Sequence, residues 1–167
     1  MYNDLAYELL QKAELLYGKR NTNFIINGVE IINQGKPCIC YPFNDNRIVI
    51  KITEICRSNK DFAIFQIAHE VIHCLFPNPI EVVTYLEEGL AVHFSIQCSN
   101  DIYPDLDKYI KAGELVNKLL MYDNDIIIKA RMIEPNTSKI TEDILLSIYP
   151  QLDKELLLSL TTLFYDQ

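Results

Sequence analysis

Apolar residues recur at helical spacing through Leu5, Leu9, Ala13 and Leu16, which predicts a helix over residues 2–17 that stops at Gly18. The pattern then changes. Phe24–Ile32, Pro37–Phe43 and Arg47–Thr53 read as β-rich stretches. Asn27-Gly28 predicts a turn inside the first, and Asn44-Asp45-Asn46 predicts one between the second and third. From Asp61 to Phe76 a strongly apolar helix is expected, which Pro77 and Pro79 must end; between Phe62 and Phe76 almost everything apart from His69, Glu70 and His73 is apolar, on every face. A second helix is expected over Pro79–Gln97, with Gly89 as its weak point. After a loop at Ser99–Pro104, a helix is expected over 105–122, with Leu106, Tyr109, Ile110, Gly113, Val116 and Leu120 on one face. Shorter helices should follow near 124–133, 141–148 and 152–165, parted by Pro135 and Pro150. Helix, small sheet, then helices to the end is an α+β order. No repeat, low-complexity tract or linker divides it, so residues 1–167 read as one domain.

Composition narrows the partners more than the fold. A hydrophobic fraction of 49% suffices for one core, and 23% charged residues fit a soluble globular chain. The net charge of −8, with no Lys/Arg cluster, argues against a nucleic-acid partner and is compatible with a polypeptide one. Asp4, Glu8, Lys12 and Glu14 interrupt the first apolar stretch, so it has no signal-peptide core, and no apolar run reaches membrane-spanning length. The expectation is a cytoplasmic protein without a membrane partner, although export by an unconventional system would leave no mark in the sequence. Five cysteines are an odd number, and a disulfide framework is not expected. Cys38-Ile39-Cys40 has no second pair at zinc-site spacing, and Cys74 and Cys98 read as small buried residues.

The chemistry is concentrated in Ala68-His69-Glu70-Val71-Ile72-His73, inside the most apolar helix. His69 and His73 stand four residues apart, so both imidazoles project from one helix face and can share a metal ion. Glu70 sits one step round, placed to reach a water on that metal without being a ligand. Polar groups buried together in an apolar helix need compensation, and a divalent cation supplies it. A catalytic zinc commonly takes three protein ligands and keeps one position for water. The third ligand should come from a downstream element, where Glu87 and Glu88 stand in Thr84-Tyr85-Leu86-Glu87-Glu88-Gly89-Leu90-Ala91. His93 competes for the role. It lies five residues past Glu88, roughly 140° round a helix, so the two cannot easily face one metal.

Together, His-Glu-x-x-His and Glu88-Gly89-Leu90-Ala91 resemble the gluzincin zinc peptidases over about residues 47–115. In that family the third ligand is the Glu of an x-Glu-Gly-x-Ala segment, which implies Glu88 as ligand and leaves Glu87 as a solvated group or a partner for a ligand imidazole. Lys108-Tyr109-Ile110-Lys111-Ala112-Gly113 is similar to the Tyr-x-Lys-Gly segment whose phenol stabilises the oxyanion in aminopeptidase-like members. The matching phenol is Tyr109, with Ala112 replacing the first Gly and Tyr103 as the nearest substitute. The resemblance also implies that the strand before the metal helix, Arg47–Ile52, is a sheet edge on which an extended peptide docks. The chain departs from aminopeptidase N-like enzymes in its shorter inter-helix loop and in lacking a Gly-x-Met-Glu-Asn segment, so exopeptidase specificity is not carried over. No carboxylate stands four residues after Glu88, where some gluzincins keep a partner for a ligand.

The expectation is an α+β, zincin-like domain holding one zinc ion through His69, His73 and Glu88. It would hydrolyse peptide bonds by attack of a zinc-bound water, with Glu70 as general base and Tyr109 as oxyanion donor, on a peptide or protein substrate. Two other classes stay open. One is a non-catalytic metal-binding regulatory or interaction protein on the same scaffold. The other is a metal-free helical interaction protein with hydrogen-bonded core histidines.

Overall fold

A strand that had been expected to turn back on itself runs straight through. In the computed structural model, which describes residues 1–43, 45–79, 82–100 and 102–165, strand β1 spans Ile25–Ile32 without a break. Gly28 has a φ of 143°, open to glycine but not to other residues, and the register of β1 shifts between Ile26 and Gly28. Asn27-Gly28 is therefore a bulge and not a hairpin turn. Strand β2 is Cys38–Cys40 and β3 is Arg47–Thr53. Of the turn expected between them, Asn44 lies outside the described residues, as do Ile80, Glu81 and Asp101 of the later segments.

The sheet order is β1-β3-β2, with β1 parallel and β2 antiparallel to β3. Both sides of β3 are thus occupied, and Ile48, Val49, Ile50 and Ile52 are buried. The expectation that Arg47–Ile52 is a free docking edge is corrected by this pairing. The edge strand on the other side of β3 from β1 is β2.

Seven α-helices complete the described chain: α1 Tyr2–Tyr17, α2 Lys60–His73, α3 Tyr85–Cys98, α4 Asp107–Leu120, α5 Ile126–Ile133, α6 Glu142–Ile148 and α7 Lys154–Thr161. The architecture is α+β and mostly helical. No described helix is long and apolar enough to cross a membrane. In α1 the buried face is Ala6, Leu9, Leu10, Ala13 and Tyr17, so Leu16 is turned out, and Gly18 ends the helix with a φ of 95°. Helix α2 starts at Asn59, whose side chain accepts from the backbone N–H of Asp61 and Phe62, and it ends at His73, before the prolines. It packs on α1, α3 and the sheet. Its Ala63, Ile67, Ala68, Val71 and Ile72 are buried, whereas Phe62, Phe65 and His69 are only half-buried.

Helix α3 begins at Tyr85, six residues later than Pro79, because Thr84 caps it by accepting from Glu87 N. It continues through Gly89 for a packing reason. A Cβ on Gly89 would stand 2.2 Å from the carbonyl oxygen of Ala112, and one on Gly113 would stand 2.8 Å from Val92 Cγ1. Helix α3 meets the α4 backbone at Gly89, and the Val92 side chain of α3 fills the space at Gly113. On α4 the buried positions are Ala112, Gly113, Val116 and Leu119, so the apolar stripe is rotated from the expected one and Leu106 and Ile110 are exposed.

The last expected helix overruns. Helix α7 stops at Thr161, where Thr161 and Thr162 turn their hydroxyls back to Leu157 and Leu158 carbonyls, and the chain continues extended. Residues 162–165 form a strap: Thr84 bridges Leu163, Tyr85 N donates to Thr162 O at 3.0 Å, and Phe164 N donates to Val83 O at 2.8 Å. A single cation ties the ends of the helical layer together. Arg131, buried on α5, donates to the carbonyls of Tyr17, Gly18, Lys19 and Pro135 and so satisfies the C-terminus of α1.

Candidate metal centre and active site

The 3.6-residue period of α2 brings His69 and His73 to one face, with ring centroids 5.3 Å apart. Helix α3 crosses this face and delivers Glu88. His69 Nε2 lies 2.9 Å from Glu88 Oε1, and His73 Nε2 lies 3.7 Å from Glu88 Oε2. One donor atom from each of the three residues falls within 4.8 Å of the others, and among the described residues this is the group that could hold a metal ion. Ligands on a tetrahedral zinc, at bonds of roughly 2.0–2.1 Å, stand about 3.3 Å apart, which the two observed separations bracket. Two imidazoles and a carboxylate also suit zinc chemically.

The surroundings call for positive charge. Glu70, Glu87 and Glu88 are 4%, 5% and 2% exposed, three carboxylates packed around two imidazoles. Arg131 and Lys36 act on them electrostatically, Arg131 on Glu87 and Lys36 on Glu70 and Glu88, but the guanidinium hydrogen bonds go to backbone carbonyls. Burial pushes the Glu70 carboxyl up, and the two imidazoles offset this only in part. Burial likewise opposes charge on Glu88, yet the hydrogen bond and charge of His69, with His73, hold its carboxyl below the ordinary range. His73 is also disfavoured as a cation by burial, but Glu87, Glu88 and Glu70 outweigh this and lift its pKa to about 10. A divalent cation replacing that proton would answer the same negative charge.

Glu87 is no free surface carboxylate. His73 Nδ1 donates to Glu87 Oε1 at 2.8 Å, which fixes the ring and leaves Nε2 toward Glu88. Ser138 Oγ donates to the other oxygen of Glu87 and itself accepts from Thr84 N. This serine was not singled out from the sequence, because nothing local links position 138 to position 87. His93 stands apart from the cluster. Its Nδ1 is hydrogen-bonded to Asn117 across the α3–α4 seam, and burial holds its pKa below the usual imidazole value.

Two recesses meet at the cluster. One, of about 150 Å³, is bordered by Lys36–Ile39 and Tyr41, with the β2 edge on its wall, and by Glu87, Glu88, Tyr109 and Tyr165. The other, of about 420 Å³, is walled mainly by Phe62, Phe65, Val92, Tyr103, Pro104 and Leu106. His69, Glu70, Tyr109 and Lys36 line both. The half-buried side of α2 faces this larger recess, which explains why an apolar helix leaves Phe62 and Phe65 uncovered.

Tyr109 thus stands at the site, its ring centroid 6.0 Å from that of His69. Tyr103, the substitute phenol, is exposed on the wall of the larger recess. Tyr109 Oη is hydrogen-bonded at 3.0 Å to Tyr165 Oη, and burial raises the pKa of both phenols. Neither Tyr165 nor Lys36 was singled out from the sequence. Both arrive through the tertiary fold, one on the strap and one ahead of β2. No protein-family model matches this chain, and no curated protein or solved structure matches it.

Proposed function

We propose that the chain is a zinc-dependent peptidase of gluzincin type on a zincin-like domain, with zinc held by His69, His73 and Glu88. The observation that carries this reading is the convergence of those three donors with Glu70 at the junction of two recesses, one of them bordered by a strand edge. An antiparallel edge strand beside a His-Glu-x-x-His helix supports the zincin-like reading, and it moves the docking edge from Arg47–Ile52 to Cys38–Cys40.

Zinc at this position would act as a Lewis acid, polarising a carbonyl and acidifying water. An extended peptide pairs its main chain with β2 and directs one side chain into the apolar recess, which suits a bulky apolar residue. Glu70 takes a proton from the attacking water and passes it to the leaving amine. Tyr109 donates to the oxygen that gains charge as the carbonyl becomes tetrahedral. Glu87, backed by Ser138, keeps His73 in its ligating tautomer.

Elemental analysis and a peptide-library assay test the proposal together. The purified chain should hold one zinc, and His73→Ala should lose it. Glu70→Gln should keep the zinc and lower kcat by about 10²–10⁴-fold. A chain that takes up no zinc at neutral pH refutes the reading at its base. One zinc per chain without hydrolysis of any library member favours the non-catalytic metal-binding protein instead.

A further inference from the structure

The strap ends on a side chain whose ring is fully explained and whose hydroxyl is not. Tyr165 packs edge-on against Phe164, with ring centroids 4.9 Å apart, and Lys36 and Lys108 approach its ring at 4.8 and 5.3 Å. A phenylalanine would serve all of these contacts. The hydroxyl instead meets Tyr109 Oη at 3.0 Å, on the wall of the recess that holds His69, Glu70 and Glu88.

The strap is also fixed relative to the cluster. Its hydrogen bonds fall on Val83, just before α3, and on Tyr85, the first residue of the helix that carries Glu87 and Glu88. Phe164 is 1% exposed and packs against Tyr85 and Tyr109, with centroids 5.0 Å away in each case. The backbone that leads into Tyr165 is therefore tied to the start of the helix that carries Glu88.

One hydrogen bond between two phenols uses one proton and leaves the other. When Tyr165 donates to Tyr109, the proton of Tyr109 is free to turn into the recess. Accepting a hydrogen bond also makes a hydroxyl a better donor, by about 10–30% per bond. Tyr109 lines both recesses and Tyr165 only the smaller, so Tyr109 is the one nearer their junction. We infer that Tyr165 is a positioning residue of the hydrolytic site: its hydroxyl donates to Tyr109 Oη and holds the Tyr109 proton toward the substrate carbonyl oxygen. The inference rests on the peptidase reading above.

Tyr165→Phe keeps the ring and its cation contacts, so zinc content and melting temperature should stay at wild-type values. On a peptide cleaved by the wild-type zinc protein, kcat should fall about 10-fold with KM unchanged, the effect of one hydrogen bond on a barrier. Tyr109→Phe should cost about 10²–10³-fold in kcat. The double variant should be no slower than Tyr109→Phe alone, because Tyr165 acts only through that hydroxyl. Independent, multiplying effects overturn the inference, as does wild-type kcat in Tyr165→Phe. A second readout needs no turnover and no metal. With [13Cζ]tyrosine in the zinc-free chain, the Tyr109 resonance should move in Tyr165→Phe, and an unmoved resonance overturns the hydrogen bond itself. If the wild-type zinc protein hydrolyses nothing, the peptidase reading fails and this inference falls with it. Wild-type hydrolysis unaffected by Tyr165→Phe removes the inference alone.

Discussion

The floor of the site and its outer wall are built in opposite ways. The floor comes from two consecutive helices, with every donor between His69 and Glu88, all but surrounded by packed carbon and locked by paired hydrogen bonds. The wall comes from three separate stretches, with Lys36–Ile39 ahead of and along β2, Tyr109 on α4 and Tyr165 on the strap. It is held by ring contacts and one phenol pair, and Tyr165 is 39% exposed. A metal needs its ligands fixed to within fractions of an ångström, which favours rigid neighbouring helices. A substrate must enter and leave, which favours an open wall assembled from side chains. Substitutions at the floor's three donors, at the partners that hold them or in its packing should thus disturb metal binding, whereas those in the wall should disturb turnover alone.

Gly89→Ala tests the floor most severely. The new methyl would overlap the Ala112 carbonyl, and backbone cannot rotate away as a flexible side chain could. Helices α3 and α4 must separate, and Glu88, one residue away, moves with α3. Destabilisation should reach about 3 kcal/mol, the upper end for overpacked cores, with zinc affinity falling in parallel. Urea unfolding with and without zinc measures both. A variant with unchanged stability would mean that the two helices are not in backbone contact.

A gentler break in the floor is Glu87→Gln. The amide oxygen can still accept from His73 Nδ1, but the negative charge behind the imidazole is gone and the Ser138 contact is weakened. Zinc affinity should drop about 10–100-fold, the usual cost of losing a partner behind a ligand, while the fold persists. Competition against a chromophoric chelator reads the change directly. An unchanged affinity would reduce Glu87 to a buried packing residue.

The same contrast governs what was legible in the sequence. Two of the floor's donors sit in one short motif whose spacing is close to a helical turn, and local rules suffice for them. The choice of Glu88 over Glu87 rests on the resemblance to the gluzincin segment. Helix α3 starts at Tyr85 and not at the expected Pro79, and Thr84-Tyr85-Leu86-Glu87 carries the local sign of it, a Thr three residues ahead of a Glu. Gly89 looked like a helix breaker because its packing partner, Ala112, is remote in sequence. The bulge at Gly28 and the central place of β3 depend on strand order, which alternation of side chains does not encode. Lys36, Ser138 and Tyr165 gave no local signal at all. Each reaches the site only when chain segments far apart are brought together, so no periodicity or motif could have marked them.

The smallest expected effect belongs to His93, and it separates the floor from the scaffold around it. This imidazole is on the helix that carries Glu88, five residues past it, and sequence alone leaves it as a rival third ligand. In the structure it points into the α3–α4 seam and pairs with Asn117, away from the donor group of His69, His73 and Glu88. His93→Gln keeps a side chain able to hydrogen-bond Asn117, so stability should change by less than about 1 kcal/mol, the scale of one neutral hydrogen bond. Zinc should remain at one per chain with unaltered affinity. Measured beside Glu87→Gln on identically prepared protein, the pair asks whether nearness along α3 or orientation toward α2 decides a residue's hold on the metal. If His93→Gln loses zinc while Glu88→Gln retains it, the ligand set is wrong and α3 presents the other face to the metal.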